Sequence, residues 1–206
     1  MRLPILLLLM PLLMAAPAAM VQAASPQAAS PQDRPRVQPD RDVTVTYRVE
    51  GAATQAIPGG IDGPLRLSWD AAGQRLRAEP ANRPQAVIVD LPRHTASVVD
   101  DMMHAVLTLP VRERDLQPLT LDGVQMTRRG TVAGRACTTW AMQSKRGAGA
   151  VCLTADGVAL RAEGEIDGRH GSFTATNVAY GAVAADLFTA PPGYMTLNIP
   201  DFGRKR

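Results

Sequence analysis

From residue 42 onward, apolar and polar residues alternate in short runs, which is the pattern of half-buried β-strands. Residues 43–50 alternate β-branched or aromatic side chains with threonine and charged ones, a composition that favours a strand. Residues 65–79 alternate in the same way around a turn at Asp70–Gly73, which predicts a hairpin. Between Ala86 and Val99 the apolar runs are continuous instead, so this strand pair is expected to be covered on both faces.

The second half of the chain repeats this pattern after Gly123. Further strands are predicted at residues 105–109, 135–144, 149–154, 158–165 and 173–180. The one helical stretch, residues 111–117, is short and would end at Pro118. Regular short strands separated by glycine turns predict a mainly β protein with little helix, built as a meander of antiparallel strands that forms a curved sheet or barrel.

Residues 1–23 have the order of a secretory signal peptide: a positive start, an apolar run and small residues that allow cleavage after Ala23 or Ala24. An uncleaved anchor is the alternative, but three prolines interrupt a stretch that barely reaches the roughly 20 apolar residues of a spanning helix. Both cysteines lie far from the cleavage point, which argues against a lipoprotein. We therefore expect an exported, soluble, periplasmic protein with no stable membrane span after cleavage.

The predicted domains are a disordered leader rich in Pro, Ser and Gln at 24–41, a β domain at 42–196 and a basic tail at 197–206. The formal charge of +3 does not describe the folded domain, because Arg2 is removed with the signal and Arg204, Lys205 and Arg206 lie at the end of the tail. The rest of the chain is close to neutral and has no long basic run, so we expect no nucleic-acid partner.

The two cysteines, Cys137 and Cys152, fall on the two arms of one predicted hairpin. Two cysteines in an exported chain favour a disulfide, and cross-strand neighbours are near the reach of one. Two buried free thiols are the alternative. A redox role is not expected, since the chain has no Cys-x-x-Cys pair.

No catalytic constellation stands out. There is no Gly-x-Ser-x-Gly nucleophile motif, and the three histidines, His94, His104 and His170, fall near turns or strand ends. Adjacent carboxylates at Asp100 and Asp101 would point to opposite faces of a strand, so a solvated strand end is favoured over a proton-sharing pair. We expect a protein that is not an enzyme.

Metal and cofactor signals are equally weak. The segment Met102-Met103-His104 offers soft ligands suited to copper(I), but three consecutive ligands converge poorly on one ion, and core methionines are favoured. No Cys/His cluster suits zinc, and the glycine-rich pieces lack the lysine and hydroxyl of a phosphate loop. No metal site and no cofactor are predicted.

Several segments together resemble the LolA/LolB-like lipoprotein-carrier superfamily, and most closely its exported domains of unknown function. They are the strand pair at 86–90 and 95–99, the unit Val132–Cys137 with its Gly-x-x-Cys, and the closing segment Asp186–Tyr194. The resemblance implies an unclosed antiparallel barrel with helices on its concave face, in which carriers hold acyl chains. These motifs do not place the carriers' functional arginine on any residue here, so no ligand site is carried over.

Two functions remain open at this stage. One is a periplasmic binding protein for an acyl chain or a lipoprotein, which needs an internal apolar surface. The other is a protein-interaction module of the cell envelope, such as a stress sensor or assembly factor, which needs an exposed one.

Overall fold

The computed structural model describes residues 35–55, 60–61, 63–112, 125–144, 147–166 and 168–198. Two short 3-10 turns, Ala52–Gln55 and Ala185–Phe188, are the helical elements of this part of the chain. The strands are β1 (Val43–Gly51), β2 (Leu65–Asp70), β3 (Arg75–Pro80), β4 (Gln85–Asp90), β5 (Thr95–Asp100), β6 (Ala105–Pro110), β7 (Gln125–Val132), β8 (Arg135–Ser144), β9 (Gly147–Leu153), β10 (Ala159–Ile166), β11 (Arg169–Tyr180) and β12 (Met195–Asn198).

All twelve strands form one sheet in the order β12-β6-β5-β4-β3-β2-β1-β11-β10-β9-β8-β7. We call β2–β6 with β12 the aliphatic wing, and β7–β10 the cystine wing; β1 and β11 join them. The prediction of a mainly β protein with a curved, unclosed sheet is confirmed. The arrangement differs from a simple meander in two ways: β1 pairs with the distant β11, and β12 joins β6 in parallel.

Three hairpins of the aliphatic wing share one turn design. Each turn begins with a buried aspartate, Asp70, Asp90 or Asp100, whose carboxylate accepts a backbone N–H three residues on. Four residues after each aspartate, Gln74, His94 and His104 adopt a left-handed backbone with φ near 50°. Aspartate suits this place because its short side chain can satisfy turn amides that the strands leave unpaired.

One face of the sheet carries the main core, because the alternating apolar residues of β1 align with those of its neighbours. Val43, Val45 and Tyr47 face Trp69, Leu67 and Leu65 of β2 across the ladder. On the other side of β1, the same residues meet Tyr180, Val178 and Ala175 of β11. Val43 and Val45 are almost fully buried, so this row stabilises the junction between the wings.

The opposite face of the aliphatic wing is covered by residues 183–194, which include the closing segment Asp186–Tyr194. Phe188 is buried there against four residues of β4–β6, namely Ala86, Ile88, Val99 and Val106. Arg77 donates from Nη1 to the Leu187 carbonyl at 2.8 Å, and the Arg75 guanidinium lies 4.9 Å from the Phe188 ring centre. Residues 183–194 thus cover one face of β4 and β5. The prediction that both faces are covered is met on this face alone, because Val87, Val89 and Val98 on the other face are only half-buried.

A row of glycines crosses the other half of the sheet. Gly51, Gly171, Gly164 and Gly149 are register partners in turn across β1, β11, β10 and β9. A Cβ on Gly164 would lie 2.8 Å from the Ala148 carbonyl oxygen, and one on Gly149 would lie 2.8 Å from that of Glu163. These contacts are too short for a side chain, so the row permits close approach of the neighbouring backbones.

Contacts at both ends of the domain extend past the boundaries predicted at 42 and 196. The Trp69 indole donates to the Pro39 carbonyl at 2.9 Å, and the Asp40 amide donates to the Asp156 carbonyl. At the other end, β12 runs on to Asn198. The signal peptide with Ala23 and Ala24, the leader before residue 35, most of the 111–117 helix and the tail after 198 lie outside the described residues.

Candidate binding surface

The predicted disulfide is present: Cys137 on β8 is bonded to Cys152 on β9, with their Cα atoms 5.4 Å apart. The two residues are diagonal neighbours, because the register partner of Cys152 is Thr139. The Thr139 hydroxyl donates to the Cys152 sulfur at 3.3 Å. The cystine is buried and belongs to the main core, which fits a structural bond.

The histidines and the paired carboxylates lie at turns and strand ends, where His104 and Asp101 both contact Tyr194. His94 and His104 are exposed turn residues, and His170 is exposed on β11. Asp100 is buried at the start of its turn, where it accepts bonds from Gln85 and from the Met102 and Met103 amides. The Gln85 bond, together with these amides, holds the pKa of Asp100 below its usual value. Asp101 instead accepts from the Tyr194 hydroxyl at 3.0 Å.

The expectation that Met102 and Met103 are core residues is wrong. They occupy the β5–β6 turn and are 76% and 70% exposed. The turn lies beyond the ends of β5 and β6, so the two side chains are in solvent and do not pack in a core. Among the described residues, no three His, Cys, Asp or Glu side chains are grouped to hold a metal ion.

Tyr47 is a deeply buried titratable residue of the main core. Its hydroxyl donates to the Ala159 carbonyl at 2.5 Å, and its ring meets Phe173 edge to face. Burial raises its pKa well above the ordinary value, so the phenol stays neutral at physiological pH. This hydrogen bond links β1 to β10.

The aliphatic wing presents a continuous apolar surface on the face that carries the main core. We call it the apolar face; its members are half-buried residues from five neighbouring strands: Leu67, Leu76, Val87, Val89, Val98, Leu107 and Leu109. They lie side by side because the register pairs Leu76 with Val89, Val87 with Val98, and Val98 with Leu107. At the edge, Met195 and Leu197 of β12 extend the surface and are 62% and 49% exposed.

Charged groups are kept off this surface and paired elsewhere on the wing. On β2 and β3, Glu79 meets both Arg66 and Arg77. The Arg77 Nε lies 2.9 Å from a Glu79 carboxylate oxygen, a charge contact without hydrogen-bond geometry. Burial opposes ionisation of Glu79, but the two arginines outweigh it and its pKa is lowered. Among the described residues, aliphatic side chains line the apolar face, and the charged groups of β2 and β3 lie on the opposite face of the sheet.

Sequence reasoning locates the strands of the apolar face but does not reveal it as one surface. A signal is present, because β4, β5 and β6 are mainly aliphatic or small on both of their faces. What the sequence lacks is the pairing register, which decides which of two apolar faces the closing segment covers.

No helix within the described part of the chain is long and apolar enough to cross a membrane. No protein-family model matches the chain, and no curated protein matches it in sequence.

Solved structures do match the fold. An uncharacterized conserved protein from Thermus thermophilus superposes with a TM-score of 0.53 at 10% identity, over 78% of this chain and 91% of that one. MucB superposes with a TM-score of 0.51 at 15% identity over 77% of this chain, which spans about 60% of the MucB chain. MucB in complex with MucA(peri) gives 0.48 at 17% identity. At these identities the likeness shows the fold alone: the chain has a LolA-like fold, an unclosed curved sheet of the kind found in MucB.

Proposed function

We propose that this protein is an exported, periplasmic binding protein of the cell envelope, which binds an aliphatic ligand on the apolar face and catalyses no reaction. The observation that carries the proposal is the row of half-buried aliphatic side chains across β2–β6. Such a surface gains free energy when a ligand removes it from water, at roughly 25 cal/mol per Å². Acyl chains are the first ligand class to test, because the surface offers area without hydrogen-bonding groups.

The first experiment is native mass spectrometry of the exported chain, purified without detergent. We expect an added mass that is released on denaturation as a fatty acid or phospholipid. Leu107→Asp places a charge in the apolar face and should weaken acyl-chain binding by about tenfold or more, since an unpaired carboxylate is costly to bury. Met126→Asp is the matched control, because Met126 is exposed on β7, away from this face.

A bare mass that stays unshifted in the presence of added fatty acid and phospholipid would contradict acyl binding. Equal weakening by Leu107→Asp and Met126→Asp would show that the apolar face is not the binding surface. Far-ultraviolet circular dichroism checks that each variant retains the sheet.

A second candidate is a protein-interaction module, favoured by the exposed edge of β12. Met195 and Leu197 are exposed on the outermost strand, beside the apolar face. An open strand edge can accept an extended segment of another protein by β-sheet augmentation. MucB, which has the same fold, has been solved with MucA(peri). If the lipid tests fail, a cross-linker placed at position 197 should capture an envelope protein. Loss of that cross-link in a Thr196→Pro variant, which disrupts β12, would support this candidate.

A further inference from the structure

Arginines on the two wings of the sheet differ in their partners. On the strands and turns from β1 to β5, five of them form ion pairs with carboxylates: Arg48, Arg66, Arg75, Arg77 and Arg93. On the cystine wing, Arg128, Arg129 and Arg161 form no ion pair with any described carboxylate. All three line one cavity of about 210 Å³, together with Glu163 and the hydroxyl-bearing Thr131 and Thr139.

The sheet register brings two of these arginines to opposite ends of one cross-strand row. Arg161 of β10 is the partner of Cys152, Cys152 of Thr139, and Thr139 of Arg128 on β7. Partners across a ladder share a face of the sheet, so Arg128 and Arg161 lie on the same face as Cys152, and all three line the cavity. Three strand spacings separate their backbones by roughly 14 Å, a gap that two extended arginine side chains and one small anion can span.

Protection of the sheet edge accounts for only part of this arrangement. Charged side chains on an outer strand prevent edge-to-edge aggregation, which would be a sufficient reason for Arg128 and Arg129 on β7. Arg161 lies on β10, three strands inside the sheet, where no edge needs protection. It is also half-buried, so its charge loses hydration without gaining a described carboxylate partner.

We propose that this cavity is an anion site, which binds a dianionic phosphate group. Three arginines and one glutamate give the site a net charge of about two positive units, which matches a phosphate monoester better than a single carboxylate. The planar guanidinium donates paired N–H groups in a geometry that suits phosphate oxygens. The cavity lies on the cystine wing, so it is separate from the apolar face and independent of the function proposed for it.

Titration calorimetry of the full exported chain, at constant ionic strength, tests this site. Inorganic phosphate and glycerol 3-phosphate are the soluble probes, with chloride as the reference ion. We expect saturable binding that strengthens severalfold between about pH 5.5 and 7.5, because the second ionisation of a phosphate ester has a pKa near 6. Vesicles of phosphatidylcholine with and without phosphatidic acid separate the sources: binding to the phosphatidic acid vesicles alone identifies a lipid headgroup.

Variants assign the binding to this cavity. Arg161→Gln should weaken phosphate binding about tenfold, whereas Arg83→Gln, an exposed arginine in the β3–β4 turn, should leave it within about twofold. Glu163→Gln should strengthen binding severalfold, because it removes the one opposing charge among the described lining residues. This gain cannot come from a folding defect, so it protects the test against misfolded variants.

The proposal is overturned if neither soluble phosphate nor phosphatidic acid vesicles bind saturably. It is equally overturned if Arg161→Gln and Arg83→Gln weaken binding to the same extent, or if Glu163→Gln weakens it. Binding of chloride and phosphate with equal affinity would reduce the site to a nonspecific cationic patch and contradict a dianion site.

Discussion

Each of the two wings of the sheet is stabilised by different features. The aliphatic wing is built from three short Asp-started hairpins, is covered on one face by residues 183–194, and pairs its arginines with carboxylates. The cystine wing carries the disulfide, part of the glycine row, and a cavity lined by arginines that pair with no described carboxylate. Burial of Phe188, one of residues 183–194, therefore stabilises the aliphatic wing, whereas a cross-link adds to the core packing of the cystine wing.

The largest effect should come from Phe188→Ala, which removes the anchor of the closing segment. Phe188 is buried against four aliphatic residues of β4–β6, and such a truncation costs about 3–5 kcal/mol of unfolding free energy. Urea denaturation measures the loss, and Leu187→Ala, in the same segment but less buried, should cost less. Equal costs for the two variants would show that the ring is not the anchor.

Removing the disulfide should have the next largest effect, confined to the cystine wing. A loop with a sequence separation of 15 is worth roughly 3 kcal/mol in the chain-entropy account. In the double variant Cys137→Ser with Cys152→Ser, hydrogen exchange should quicken in β8 and β9 and remain slow in β4 and β5. Uniform acceleration in both wings would contradict their separate stabilisation.

The glycine row allows a sharper comparison within one half of the sheet. Gly164→Ala puts a methyl group against the backbone of β9 and should cost about 1–3 kcal/mol, as overpacking does elsewhere. Gly130→Ala, on β7, meets nothing within 4 Å and should be neutral or slightly stabilising. Thermal unfolding of the two variants measures the difference, and similar melting temperatures would show that the close backbone approach does not require glycine at position 164.

The smallest effect concerns the turn aspartates and depends on pH. A hydrogen bond from the Gly73 amide, supported by Arg75, holds the pKa of Asp70 below 3.8 despite burial. A carboxylate with a lowered folded-state pKa stabilises above its unfolded pKa, and the stabilisation is lost as pH falls through the folded value. Asp70→Asn should therefore cost about 1–2 kcal/mol at pH 7 and progressively less below about pH 4.

Asp90→Asn is the comparison for that variant. Its partner Arg93 is 76% exposed, whereas Arg75 is only 19% exposed, so the Asp90 ion pair should contribute less. Urea denaturation at neutral pH and at about pH 3 measures both variants. A cost for Asp70→Asn that does not change with pH would mean that its charge is irrelevant to the turn.

Local sequence patterns are sufficient to predict the hairpins and the cystine. Alternation marks β1 to β3, and the closing segment is recognisable from its sequence, although its contact with β4–β6 is not. Strand β12 escapes prediction, because four residues that pair in parallel with the distant β6 carry no local signal. The cross-strand row that ends in Arg128 and Arg161 is not predictable for the same reason, because only the register of three strand pairs places these two residues on it.

The position of β1 has a consequence for how the protein folds. Its partner β2 follows closely in the chain, but its other partner, β11, ends at Tyr180. Pairings this distant in sequence carry a large loop-closure cost and form slowly compared with hairpins. In a chain that emerges with its N-terminus first, the two wings therefore cannot join until β11, which ends at Tyr180, has emerged. The rate of folding should follow the formation of that single strand pair, whatever the speed of the hairpins.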